Sequence, residues 1–413
     1  MLLLLSACFV SPVKDVQAEL VEGMPTVVRV TWTGSSGAVE YGLEDQLGLW
    51  TPDGEGEALL LGLPPDSEVQ FKVWPGREKA SDLYSIRTGS LPEGTPTTEH
   101  EGDWDEGFVL TTALGAINGP LILSPGGQVS WFLEDHSGML SYRARLARDG
   151  SGILYNRGDI SGEPSEDSEI VHVGWDGQVL ERVPIPRLAH DFVELEDGTL
   201  VAMTVDELEL GEETLRIDSL VEVAPSGQPQ TIWSSPDCFP VEELDEGFAN
   251  ALDLSEDEDE LLLGFRTWSS IVQIDRATGD CDWVLGRTEA THSVDEPFLG
   301  QHQFQVLPEG LLVFDNEGLS GSRSRAIEYD FLVDEPADAR ATWSYEPQPE
   351  THTFVLGDAH RAATGRTFVT FSAGGQLDIV DAQGELQART TTDLGVALGF
   401  SQVVAELHTG RPL

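Results

Sequence analysis

The feature that most limits what this chain can fold into is a repeated pair of turns. One class recurs at Asp149-Gly150, Asp197-Gly198, the run 256–260, Glu309-Gly310 and Thr364-Gly365. A second recurs at Gly126-Gly127, Asp176-Gly177, Ser226-Gly227, Thr278-Gly279 and Gln383-Gly384, with a looser stretch at 334–338 between the last two. Members of each class fall roughly 50 residues apart, the spacing of propeller blades. Between them lie short apolar runs such as Leu200-Val201-Ala202-Met203, Leu261-Leu262-Leu263 and Ile271-Val272-Gln273-Ile274. No Pro-free stretch keeps a helical period. The pattern predicts an all-β chain. Its six second-class turns predict a six-bladed β-propeller over 107–410, each blade a four-stranded sheet around a central channel. The first blade, near 107–133, lacks a first-class turn. The strand-like segment 396–404 is expected to complete it and to pin both ends of the ring. An open two-sheet sandwich is the alternative.

Residues 13–92 read as a separate unit. Val28, Val30 and Trp32 alternate as a half-buried strand does, and Val39-Glu40-Tyr41-Gly42 follows as a second. Short alternating strands punctuated by Gly and Pro predict a small β-sandwich. The phrase Leu61-Gly62-Leu63-Pro64-Pro65-Asp66-Ser67-Glu68-Val69-Gln70-Phe71 resembles the link into a late strand of fibronectin type III domains. Residues 93–106, rich in Pro, Gly, Thr and Glu, read as a linker.

Residues 1–8 look like the end of a secretory signal. Leu5-Ser6-Ala7-Cys8 resembles the lipobox of bacterial lipoproteins, which implies a lipid on Cys8 and an exported protein of the periplasm or cell envelope. Membrane contact would then run through that anchor alone. The segment lacks the basic start of a signal, so a stray apolar terminus is the alternative. With Cys8 set aside, Cys238 and Cys281 remain. An even remainder in an exported chain points to a disulfide, against two free buried thiols. Two cysteines cannot make a structural zinc site unaided.

The charge removes whole classes of partner. Acidic residues number 73 against 23 basic ones, a formal net charge of −50, and Lys14, Lys72 and Lys79 are the only lysines. Such a surface cannot neutralise phosphates in series, so no nucleic-acid partner is expected, and it repels an anionic leaflet. A hydrophobic fraction of 40% with ten Trp and sixteen Phe supplies a core, so the acidity does not signal disorder. There is no Gly-rich phosphate loop and no nucleophile elbow. The acidic run 255–260 lacks the glycine and ligand spacing of a calcium loop. Neither metal nor cofactor is expected.

The repeat also indexes candidate site residues. Eight positions before each first-class turn lie Tyr142, His190, Asn250, His302 and Gly357, and strand two of successive blades ends at Arg157, Thr204, Arg266 and Asn316. The start of strand one and the end of strand two share a rim, so these polar groups are expected at one mouth of the channel. A lone histidine at a strand start is more often structural than catalytic. Two at one repeat position, beside Arg266, shift the balance toward chemistry.

At this point the residues resemble a known family. Phe298-Leu299-Gly300-Gln301-His302-Gln303, then Leu307 through Asn316, then Ser324-Arg325-Ala326-Ile327-Glu328-Tyr329 are similar to the central motifs of the arylsulfotransferases, exported bacterial propeller enzymes. His190-Asp191-Phe192, Arg266 and the run from Ile271 to Gly286 fit as well. The resemblance implies nucleotide-independent transfer of a sulfuryl group from a phenolic sulfate ester to an acceptor phenol, in two steps through a sulfated histidine. By position His302 matches that nucleophile, and His190 and Arg266 match two further catalytic residues. Tyr142, Asn250, Asn316 and Arg325 are expected to bind substrate. The chemistry is sound on its own terms. An imidazole splits one displacement into two, an arginine holds the sulfuryl oxygens, and His190 can give and take the phenolic proton.

One position departs from the family pattern. Two residues before Asn250 the family carries a histidine, and here stands Phe248. The alternatives are a decayed site in a non-catalytic binding propeller, and a sulfate-ester hydrolase.

Overall fold

The computed structural model describes residues 13–409 except positions 45, 77–78, 106, 116, 159–163, 212, 242–243, 245–246, 287–289, 331–338 and 394–395. The lipobox-like segment with Cys8 and the loose turn at 334–338 lie outside the described residues. Apart from single 3-10 turns, the described residues form strands and their connections. Among them no helix is long and apolar enough to cross a membrane.

Two sheets come first. Lys14–Val21, Met24–Thr33 and Glu57–Leu60 form one; Gln46–Trp50, Ala38–Leu43, Glu68–Trp74 and Tyr84–Arg87 form the other. Val28, Val30 and Trp32 face Val39, Tyr41, Phe71 and Val73 in one core. The alternation read from the sequence is what buries one face of each strand.

Six antiparallel sheets follow in chain order, spanning 108–132, 144–184, 188–234, 249–286, 304–345 and 358–392. Each packs both faces. Leu261 and Leu263 of the fourth sheet meet Val193, Val201 and Met203 of the third, whereas Leu262 between them meets Leu311 and Val313 of the fifth. A strand sandwiched on two sides must be apolar at successive positions, which is why these runs do not alternate. The same packing joins the sixth sheet to the first through Phe368, Leu377 and Ile379 against Val109, Leu121 and Leu123. The late strands Ala397–Leu398 and Gln402–Val404 pair with Phe108–Leu114, so the first sheet takes its inner strand from the far end of the chain.

One expectation needs correction. Within 93–106, read as a linker, Thr98–Gly102 is a strand that pairs with Leu386–Thr392 and becomes the fifth strand of the sixth sheet. Its Thr-Glu-His-Glu-Gly composition hid it, because an edge strand needs backbone hydrogen bonds and no apolar stripe.

The inner ends of the sheets are tied by one buried network. The Arg143 guanidinium donates to both Asp191 carboxylate oxygens at 2.9 and 3.2 Å, to the Ser401 carbonyl at 3.0 Å and to Asp358 at 3.5 Å. Asp191 also accepts from the Leu252 backbone N–H at 3.1 Å and from Gln303 Nε2 at 2.8 Å. Those six residues come one from each of the six sheets or its adjoining segment. Farther out, Cys238, beyond the last strand of the third sheet, is disulfide-bonded to Cys281, which opens the last strand of the fourth, with Cα atoms 5.7 Å apart.

Candidate active site

His302 is the most constrained residue of the expected site. It follows Gly300, whose φ of +61° suits a residue without a Cβ, and Gln301, whose amide donates to the Phe265 and Ser270 carbonyls of the neighbouring sheet at 3.1 and 2.9 Å. Asn250 Nδ2 donates to the Gln301 carbonyl at 2.8 Å. The turn carrying His302 is therefore clamped to the fourth sheet. His302 itself is 2% exposed, and its Nδ1 lies 2.8 Å from Asn316 Oδ1.

That contact assigns the tautomer. Asn316 Nδ2 donates to the Thr353 and Leu356 carbonyls at 2.7 and 2.8 Å, so its Oδ1 is the acceptor facing the ring. Nδ1 must then carry the proton, and Nε2 keeps its lone pair. Burial pushes the His302 pKa down to about 3; hydrogen bonding to Asn316 and to the Gly300 backbone opposes this, while the charges of Arg266 and His190 add to it. His302 is thus held neutral, with Nε2 the ring nitrogen that keeps a lone pair.

His190 sits between two rings, with centroids 5.2 Å from Tyr142 and 5.3 Å from Phe248. Burial lowers its pKa to about 4, with Arg216 and Arg266 contributing and Asp191 opposing. Arg266 Nη2 donates to the Phe354 carbonyl at 3.0 Å. Several buried polar atoms here have no partner: His190 Nδ1, Asn250 Oδ1, Thr204 Oγ1, and the Nε atoms of Arg266 and Arg216. Buried polar groups ordinarily find partners, so these atoms are open to bonding a polar ligand.

The sequence-derived set is thus divided. Tyr142, His190, Asn250, Arg266, His302 and Asn316 come together, Asn250 and Asn316 holding the His302 turn and ring. Arg325 does not join them. Its donors go to Asp315 at 3.0 Å, to Glu296 and to the Pro297 carbonyl at 3.1 Å. Arg157 is similarly engaged by Glu169 at 2.7 Å and Tyr155 at 2.9 Å. The proton-donor role expected of His190 also changes: at neutral pH it is uncharged, so it enters as a hydrogen-bond donor or a base.

Sequence reasoning missed Arg216 and Asp218. They lie on Glu213–Val223, which pairs over its whole length with Leu200–Leu210. Both strands run 11 residues, against 6 for the matching strands of the next sheet, so an arm extends past the mouth. Only strands one and two were indexed from the turns, and the extra length was the overlooked signal. Arg216 lies over the Phe248 ring, 5.0 Å from its centroid. Phe248 has φ +52°, an outlier for a bulky residue. Burial raises the Asp218 carboxyl to about 6, against hydrogen bonds from the Ala249 and Phe248 backbones.

On the other side of the Arg143 network lies a cavity of about 730 Å³, bordered by Arg145, Asp253, Gln305, His360 and Gln402. Arg145 donates there to the Phe192 and Leu252 carbonyls at 2.6 and 3.3 Å, and Asp253 accepts the Val306 N–H at 3.2 Å. Among the described residues no group of three or more His, Cys, Asp or Glu is arranged to hold a metal.

Comparison with known proteins gives the chemistry a context. A structure from Bacteroides caccae, of unknown function, is similar at a TM-score of 0.50 and 12% identity, covering 73% of this chain and 100% of its own. The β-propeller domain of Cps50 (Swd1) from Myceliophteria thermophila is similar at a TM-score of 0.44 and 15% identity, covering 77% and 98%. No curated protein matches the chain. The family model for arylsulfotransferase (ASST) matches residues 108–393, most of the chain and all of the sheets that build this mouth, and the chain belongs to that family.

Proposed function

We propose that the six sheets are the blades of a six-bladed propeller over 107–410, that 13–92 form a fibronectin type III-like sandwich, and that the mouth transfers sulfuryl groups between phenols. The observation that carries the reaction is His302: buried, neutral, with Nδ1–H committed to Asn316 and Nε2 left as the nucleophile.

In the first step the Nε2 lone pair forms a bond to sulfur as the S–O(aryl) bond breaks, and the electron pair leaves with the phenolate. Arg266 holds the sulfuryl oxygens. His190 hydrogen-bonds the leaving oxygen. An anionic ester beside Arg266 and Arg216 offsets the charges that depress His190, raising its proton affinity at the moment it is needed. In the second step an acceptor phenol attacks sulfur, the N–S pair returns to Nε2, and the phenolic proton passes to His190, which releases it to solvent, where it balances the phenolate released in the first step. No cofactor takes part.

The test is a chromogenic aryl sulfate with excess phenol. Donor-dependent release with a sulfated acceptor is expected, and it should vanish in His302→Ala; release undiminished in that variant sinks the proposal. Phe248 favours a second reading, a propeller that binds without turnover, which a covalently sulfated histidine in the donor-treated protein would exclude. Sulfate released in place of sulfated phenol would mark a hydrolase. We extend the proposal to an envelope lipoprotein, supported by Leu5-Ser6-Ala7-Cys8 and by the Cys238–Cys281 bridge. Fatty-acid labelling that survives Cys8→Ala would refute the anchor.

A further inference from the structure

From the arm that overhangs the mouth, we infer that Arg216 is a second anion-binding residue of the sulfuryl site, doing from the third sheet what the family histidine at the Phe248 position cannot do here. The inference rests on the proposed aryl sulfate chemistry. It deepens that chemistry by assigning the substrate's anionic head to two arginines from neighbouring sheets.

Three observations support it. First, the Arg216 guanidinium lies over the Phe248 ring, so the side chain that displaced the histidine is also the platform that orients its replacement. Second, Arg216 Nε is buried and has no hydrogen-bond partner, as is Arg266 Nε. A guanidinium donor held away from water without an acceptor is a costly arrangement unless an oxygen arrives to meet it. Third, both arginines act on the same ring: their charges fall on His190, from the third-sheet arm and from the fourth sheet respectively.

The surroundings set the geometry. On its own strand, two residues on, Asp218 sits on the same side and engages the backbone of Phe248 and Ala249, fixing the left-handed turn that presents the Phe248 ring. Across the ladder, Glu207 stands opposite Arg216 but is drawn to Arg187 at 3.2 Å. Phe248 and Tyr142 flank His190 as two aromatic walls. A ligand matching this set has a flat ring to lie against these aromatic side chains and a three-oxygen anionic head to reach Arg216 and Arg266. An aryl sulfate monoester has both.

The probe is an aryl sulfonate, whose C–S bond a histidine cannot displace, titrated calorimetrically into wild type, Arg216→Gln, Arg216→Lys and Arg216→Gln with Phe248→His. Turnover of an aryl sulfate is followed in parallel. The wild type is expected to bind. Arg216→Gln should weaken binding about tenfold or more and flatten its salt dependence, as loss of one charge-assisted contact does. Arg216→Lys should recover part of the affinity, and so should the added Phe248→His. Equal binding by wild type and Arg216→Gln overturns the inference, as does a wild type that ignores the sulfonate. If binding depends on Arg216 while no variant turns over a sulfate ester, the anion site stands and the enzymatic proposal falls. If turnover occurs and binding does not depend on Arg216, the reverse holds.

Discussion

Two groups of arginines sit at the inner ends of the six sheets, one buried and one half-buried, and they are arranged oppositely. Arg143 is matched on every side, by Asp191, Asp358 and the Ser401 carbonyl, at 2% exposure. Arg266 and Arg216, at the mouth, keep buried Nε atoms without partners. The residue type is the same, and the difference is satisfaction. A charge whose hydrogen bonds are complete holds the fold together; a charge left short of acceptors is held ready for one.

This contrast can be broken experimentally. The largest effect should come from His302→Ala: aryl sulfate turnover falls by at least about 10³-fold, while thermal unfolding moves far less than the network variants below. A loss of activity explained by unfolding would erase the distinction. Next is Asp191→Ala, which strands Arg143 and should cost about 3–5 kcal/mol in denaturant unfolding. If that variant unfolds like wild type, the network is not what ties the sheets. Replacing Cys238 and Cys281 with serine opens a loop of 43 residues and should cost up to about 4 kcal/mol, by the loop-entropy relation. The same protein under reducing conditions is the control.

The smallest effect is in pH. His190, His302, His360 and His408 have pKa values lowered on folding to about 4, 3, 4 and 4. Each takes a proton more readily unfolded than folded. Their contribution is intact above about pH 6.5 and is lost as pH falls through that value toward 4. Asp218 and Asp358, raised to about 6, work the other way, being more protonated when folded between their ordinary range and pH 6. Glu194, Asp253 and Glu260 are raised as well and His172 lowered, but the four large histidine shifts dominate, so the unfolding midpoint should drop between pH 6.5 and 4. Activity should show no inflection near 6.5, because neither mouth histidine is charged there. An inflection at that pH would place an ordinary, solvated histidine in the reaction.

Turn spacing and apolar runs carried most of the architecture, since turn chemistry is local and both-sided burial leaves consecutive apolar residues such as Leu261 to Leu263. Thr98–Gly102 was not legible, because backbone pairing at an edge leaves no side-chain signature. Within the site, register found His190, His302, Arg266 and Asn316, which sit at fixed offsets from turns. It missed Arg216, whose position depends on how far one hairpin overruns its sheet. The family motif gave Arg325 a binding role, when Asp315 and Glu296 already occupy it; motif position does not reveal which donors are spent. Asp191 was visible only as part of a His-Asp pair, and its work is to gather Arg143, Arg145, Leu252 and Gln303.

The late strand that completes the first sheet has a kinetic consequence. Phe108–Leu114 pairs on one side with the nearby Gly119–Leu123, but its other edge is covered only when Gln402–Val404 is available, so the first sheet is completed by a contact between distant parts of the chain. Contacts of such separation form slowly and leave an exposed edge until they do. Once formed, they are the last to be reached by local fraying, because opening either end must separate strands buried on both faces. A chain that is slow to shut is for the same reason slow to open, and its lifetime would be set by an unfolding barrier more than by an equilibrium.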